Sequence, residues 1–312
     1  MPAIAVRRVP RPRGEANTSL PSDDAAAWLA RLATHALLEE ARLTPKPALV
    51  DRRGSGAHRD LNLALMERSA YSLEPTFAAL ARASAGARPS AMLRAQLAAI
   101  GRDGESVMME ATQGSNAHRG AIWIVGLLVA GATICGIGAP MRPRFDAARA
   151  ICATAAQIAC FPDHGAPLVD SNGSRVRARY GVGGARREAQ EGFPHVVRIG
   201  LPALRAARDR RVGENAARID ALLAIMTSLD DTCLLHRAGP PALCAAKAGA
   251  QEVLTLGGCA TARGRAALER LEARLLSLNA SPGGAADLLA ATLFMDKLAQ
   301  HGAGGRTASW SI

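Results

Sequence analysis

From Ala121 to Ala139 the chain reads AIWIVGLLVAGATICGIGA, a stretch without one charge, set directly behind the polar GSNAHRG of Gly114–Gly120 and stopped by Pro140. A segment this long and apolar has two homes, a bilayer or the middle of a helical protein. Glycines and alanines dilute its hydrophobicity, no second stretch of the kind occurs, and the polar motif abuts it without a spacer. The reading is therefore a central helix buried on all sides, in a protein that does not enter a membrane.

The rest of the chain supplies a matching shell. Hydrophobic residues make up 49% of the 312 positions but are mostly Ala and Leu, only 3% are aromatic, and β-branched residues form no alternating runs. This is the composition of an all-α protein. A single multi-helix globular domain is expected over 22–300, with a flexible Arg/Pro-rich tail at 1–21 and a flexible tail at 301–312. The first residues lack the apolar core of a secretion signal, so the expected location is cytoplasmic. The six cysteines have no close-paired spacing, which points to buried, reduced thiols rather than a zinc site or a disulfide framework.

Capping and periodicity place the elements. Ser22-Asp23-Asp24 starts a helix that buries Trp28, Leu29, Leu32, Ala33, Ala36 and Leu37 and ends near Arg42. Asp60 is expected to cap a second helix running toward Ser84 and bent or broken at Pro75. Helix resumes after Pro89, a new one carries ESVMMEATQG, and an Ala-rich helix follows Pro143 to Cys160. Phe161–Pro194 is rich in turn formers. Helices are then expected at Glu214–Ser228, Pro240–Leu256, Ala262–Leu278 and Pro282–Gln300.

Chemistry gathers at the breaks between these segments. TPKPALVDRRGSGAHRDL, from Thr44 to Leu61, cannot be a regular helix, because Pro45, Pro47, Gly54 and Gly56 break it. It holds Lys46, Asp51, Arg52, Arg53, His58, Arg59 and Asp60. Asn116, His118 and Arg119 stand at the mouth of the apolar helix, and Asp230-Asp231-Thr232 with Arg237 at another helix end. In SPGGAAD, Ser281 can cap, Pro282 suits a first helical position, and Gly283 and Gly284 leave amides open to a phosphate. The breaks thus supply His58, His118 and His164 as proton carriers, and Asp51, Asp60, Glu110, Glu188, Asp231 and Asp287 as bases or magnesium ligands. A net charge of +11, nearly all arginine, suits a polyphosphate ligand. Scarce aromatics argue against a nucleic-acid binder. Arg179–Gly184 has the wrong spacing for a dinucleotide loop, and no glycine-rich loop ends in Lys-Ser or Lys-Thr.

In order, TPKPALVDRRGSGAHRDL, EATQGSNAHRGAIWIVGLL, YGVGGARREAQEGFPHV with LPAL, DDTCLLHR and SPGGAADLLAATLF resemble the triphosphoribosyl-dephospho-CoA synthase family, over about Glu39 to Leu298. The DTCLLHR form is more similar to the branch serving malonate decarboxylase than to the one serving citrate lyase. Departures are Ala48 where the family usually has Gly, Gly54 where Asn is common, Ala117 for Thr and Arg119 for Lys. The resemblance implies an all-helical enzyme that joins ATP to 3'-dephospho-CoA with loss of adenine, giving 2'-(5''-triphosphoribosyl)-3'-dephospho-CoA. A separate transferase then attaches this product to an acyl-carrier protein. A homodimer is left open.

An inverted, α-linked product implies one direct displacement through an oxocarbenium-like state. In that scheme Asp51 or Glu110 deprotonates the acceptor hydroxyl and His58 or His118 assists the departing adenine. Asp60, Glu188, Asp231 and Asp287 hold magnesium. Lys46, Arg52, Arg53, Asn116, Arg119, Gly183, Gly184, Arg186, Arg187, Arg237, Ser281, Gly283 and Gly284 bind ATP or phosphate. The alternative is a helical magnesium-dependent nucleotide or ADP-ribosyl hydrolase, in which water replaces the acceptor.

Overall fold

A computed structural model of the chain describes residues 23–137, 147–165 and 171–303. Among these residues it is built of α-helices and one π-helical turn, with no β-strand. The expected tail 1–21 and most of 301–312 lie outside the described residues, although 301–303 complete the last helix.

The first helix, α1 (Asp23–Arg42), starts on two aspartates and buries Leu29, Ala30, Ala33, Ala36 and Leu37. Asn62, not Asp60, caps α2 (Leu63–Ser72), its side-chain oxygen accepting from the Leu65 amide 3.0 Å away. Asp60 stands two residues too early and is exposed. The expected break falls between α2 and α3 (Glu74–Ser84), where Pro75 takes a first-turn position that needs no amide donor. Where two segments were expected after Pro89, one helix, α4 (Ala91–Ala111), runs through. Gly104 permits this: a β-carbon there would meet Thr76 Cγ2 at 2.5 Å, so the glycine lets α4 lie close against α3.

The apolar stretch forms α5 (Arg119–Ile134), buried from Ala121 through Thr133 except at Trp123. It packs against α1, α3, α4, α6 (Ala147–Cys160), α8 (Gly184–Gln190) and α13 (Gly283–Ala303). Each Leu, Ile or Val so enclosed contributes about 1.5–3 kcal/mol relative to exposure. No helix among the described residues is long and apolar enough to cross a membrane.

The turn-rich passage also folds into helix. It holds α7 (Asn172–Tyr180) and α8, followed by the π turn His195–Gly200 and α9 (Leu201–Asp209). The sequences of α7 and α8 are poor in apolar residues, and tertiary burial of Val176, Ala189, Phe193, Leu204 and Ala207 stabilises this region. Next come α10 (Glu214–Ser228), α11 (Thr232–Thr255) and α12 (Ala262–Ser277). The expected start at Pro240 is instead a kink inside α11, where Gly239 turns to φ 69 and ψ −163 ahead of Pro240 and Pro241. Asp231 caps α11 from outside. No cysteine is in a disulfide, but Cys160 and Cys244 are exposed, which corrects the expectation that the thiols are buried.

Candidate active site

The N-termini of α5, α11 and α13 meet. A β-carbon on Gly120, in the first turn of α5, would overlap the carboxylate of Asp287, the fifth residue of α13. One on Gly284 would stand 3.0 Å from Asp231 Oδ1, and one on Gly283 3.0 Å from Cys233 Sγ. Asp231 binds the ends together: Oδ1 accepts from the Cys233 amide at 2.8 Å, and Oδ2 from the Ala285 amide at 2.9 Å. Three helix dipoles therefore present their positive ends to one place.

Two aspartates share that place on different terms. Burial pushes the Asp231 carboxyl up against the pull of the Ala285, Cys233, Gly284 and Leu234 amides. Asp287 is pushed well above the ordinary range by burial and then by Glu40 and Asp231. That Glu40 is held by Lys46, 1% exposed, whose Nζ ends 2.6 Å from Glu40 Oε1 and 2.7 Å from the Glu40 carbonyl oxygen.

The loop from Leu43 to Leu61 delivers Lys46 by closing on itself. Asp51 pairs with Gly54 across a tight turn and accepts from the Lys46 amide at 2.9 Å, while Arg53 clamps Asp51 at 2.7 Å and Glu272 at 2.7 Å. Gly56, at φ +56, lies where a β-carbon would come within 2.5 Å of the Ala48 and Leu49 carbonyl oxygens. Arg52 is exposed, its amide donating to Thr44 Oγ1.

Two histidines stand beside these helix ends, His58 against Ser281 and Arg237 and His118 as the residue ahead of α5. His58 Nδ1 faces Arg237 at 3.0 Å and Nε2 faces Ser281 Oγ at 3.0 Å. Burial, then Arg237, pushes its pKa down to about 4, against a smaller upward pull from Asp60. Since Arg237 can only donate, Nδ1 accepts and Nε2–H points to Ser281. His118, 2% exposed, sits with Nδ1 2.7 Å from Ser69 Oγ, and its Nε2 has no partner among the described residues. Burial, and Lys46 after it, push its pKa down to about 3. It is a neutral imidazole whose second ring nitrogen is buried and unpartnered among the described residues.

The remaining expected site residues are dispersed. Asp60 is exposed, its carbonyl accepting from Ser115 Oγ at 2.8 Å and its carboxylate 3.8 Å from His58 Nδ1. Glu110 is exposed on the last turn of α4, and Asn116 accepts from the Arg119 amide at 3.2 Å. Arg119 pairs with Glu105. Glu188 is spent on His195, accepting from its amide at 2.9 Å and from Nδ1 at 2.7 Å. Gly183 and Gly184 open α8, with Gly184 backing onto Thr232. Arg186 is exposed, Arg187 lies 3.9 Å from Glu191, and His164 is exposed. Among the described residues no three His, Cys, Asp or Glu side chains form a ready-made metal cage. Glu40, in the last turn of α1, and Ser69, inside α2, escaped sequence reasoning, since nothing local marks either of them.

A family model, CitG, ATP:dephospho-CoA triphosphoribosyl transferase, matches residues 26–305. The chain belongs to this family. A protein of Klebsiella pneumoniae named 2-(5''-triphosphoribosyl)-3'-dephosphocoenzyme-A synthase is 54% identical over 280 residues, covering 90% of this chain and 98% of its own length. One of Pseudomonas paraeruginosa, named "Probable 2-(5''-triphosphoribosyl)-3'-dephosphocoenzyme-A synthase", is 55% identical over 279 residues, covering 89% and 93%. One of Stutzerimonas stutzeri with that same name is 56% identical over 276 residues, covering 88% and 92%. No solved structure matches. The protein is a transferase, and the hydrolase alternative is not favoured.

Proposed function

We propose that this transferase joins ATP and 3'-dephospho-CoA to give 2'-(5''-triphosphoribosyl)-3'-dephospho-CoA and adenine. The observation that carries the reading beyond family membership is the meeting of three helix N-termini around Asp287, with the unpartnered Nε2 of His118 nearby. Positive helix ends suit a phosphate-bearing substrate, and buried carboxylates suit an oxocarbenium-like state.

In the reaction the acceptor 2'-hydroxyl oxygen bonds to the ribose carbon as the bond from that carbon to adenine breaks. The proton leaving the hydroxyl balances the one adenine takes. His118, neutral and held by Ser69, steadies the departing purine with a hydrogen bond from Nε2–H and keeps that proton, so the proton adenine takes is the one the hydroxyl gives up. His58 is tied at both nitrogens and positions Arg237 and Ser281. Magnesium fits the oxygen donors present. Asp287, for which no hydrogen bond is seen among the described residues, would hold it with Asp231 behind, and substrate phosphates and water would complete its shell. When bound it would neutralise phosphate charge.

The DTCLLHR form at Asp231–Arg237 supports the branch that makes the prosthetic-group precursor for the acyl-carrier protein of malonate decarboxylase, with a separate transferase as the next partner. Incubating the protein with ATP, magnesium and 3'-dephospho-CoA, and following adenine and adduct by mass spectrometry, tests the reading. Adenine and triphosphoribosyl adduct should appear together. Adenine without adduct, or neither, would overturn it.

A further inference from the structure

Arg94 and Arg102 of α4, Trp123 of α5 and Asp163 just beyond α6 form a second charged cluster. Arg94 of α4 is 7% exposed and lies with its guanidinium carbon 4.5 Å from the Trp123 ring centroid. Its Nε and one terminal nitrogen have no hydrogen-bond partner among the described residues, and the other terminal nitrogen is 3.6 Å from Asp163 Oδ2. That same oxygen takes Arg102, at 3.0 Å. Arg186 of α8 is close enough to push the Arg94 pKa down, as Arg102 does, after the larger effect of burial. Two guanidinium groups thus meet one carboxylate, and Arg186, exposed on α8, has no ion-pair partner among the described residues.

A buried guanidinium that leaves two donors unmade is costly unless something else meets them, and a forked cation is the natural partner of phosphate oxygens. The cluster adjoins the centre already described. Trp123 follows Gly120 by three residues, about one turn of α5, and its Nε1 reaches the Ala185 carbonyl at 3.4 Å, next to the Gly184 that packs on Thr232.

We propose that Arg94, Arg102 and Arg186, on the Trp123 face, form a seat for a polyphosphate chain one helical turn from Asp287. This rests on the proposed function only for the identity of the occupant, which is the triphosphate of the nucleotide or the diphosphate of the acceptor.

Calorimetric titration of the full chain with inorganic tripolyphosphate tests the seat without requiring turnover. R94Q and R186Q should each weaken tripolyphosphate binding by about tenfold or more. R263Q, at an exposed position on α12, should not. If R94Q and R186Q weaken ATP but spare 3'-dephospho-CoA, the seat holds the nucleotide's phosphates, and the reverse pattern assigns it to the acceptor. R186Q alters an exposed side chain, so it keeps the test decisive if R94Q unfolds. Unchanged binding of all three ligands in R186Q and in folded R94Q would overturn the seat. Tripolyphosphate binding lost in both variants, with no adenine released by the unaltered protein, would keep the seat and reject the proposed reaction.

Discussion

Lys46 Nζ lies 2.6 Å from Glu40 Oε1, with 1% and 4% of the two side chains exposed. Removing one member of a buried pair strands the other charge, so K46M should lower unfolding stability by about 3–5 kcal/mol. The double replacement K46M/E40M should recover much of that. Urea denaturation of the single and double variants measures both, and a K46M stability within error of the unaltered protein would show that the pair supports nothing.

Gly120 owes its place to the Asp287 carboxylate, which occupies the space of a side chain. G120A should displace that carboxylate and slow adenine release by about 10²-fold, the scale of a misplaced catalytic geometry. Thermal unfolding should move far less than activity does. An equally active G120A would place the reacting centre elsewhere.

The two site histidines make stability depend on pH. Their ordinary value of 6.5 falls to about 4 for His58 and about 3 for His118 in the folded chain. Below pH 6.5 the unfolded chain therefore takes up protons that the folded chain refuses. Stability present above that pH is lost as pH falls toward 4 and 3, by about 1.4 kcal/mol per pH unit for each histidine that the fold keeps neutral. The stability difference between the unaltered protein and H118Q should shrink steadily from pH 7 to pH 4. A difference constant across that range would rule out a neutral buried His118.

Ala48 adopts a left-handed φ of 57 and is fully buried. That backbone costs a non-glycine residue about 1–2 kcal/mol, partly offset by the entropy glycine loses on folding. A48G should therefore raise stability by up to about 1 kcal/mol in the same denaturation assay. A loss would mean that the Ala48 methyl packs better than its backbone strains.

Much of the fold is legible in the chain alone. The uncharged stretch became α5, α10 spans Glu214–Ser228 as expected, and α12 stops one residue short of expectation. Periodicity and caps are local, and these segments obey them. The segments at 172–180 and 184–190 were not legible, because they are short, polar and rich in arginine, and their helicity comes from packing Val176 and Ala189; 195–209 follows the turn formers of Phe161–Pro194 and is held by buried Val196 and Leu204. The candidate site was legible in part for a related reason. Polar residues near breaks and helix ends announce themselves, and of those named from the sequence the structure brings Asp231, Asp287, His58, His118, Arg237 and Ser281 near the meeting of α5, α11 and α13. Glu40, Ser69 and Arg94 lie inside helices and look like ordinary surface positions until their neighbours are known.

The sequence by itself therefore determined the helical class, the buried centre and, through five ordered motifs, the family, because these rest on spacing along the chain. Only the tertiary structure decided which polar groups share a site. It joined Asp287 to Gly120 and left Asp60, Glu110 and Glu188 with other surroundings. That choice depends on which helix ends meet in space, and interactions between residues far apart in the chain leave no local mark in it.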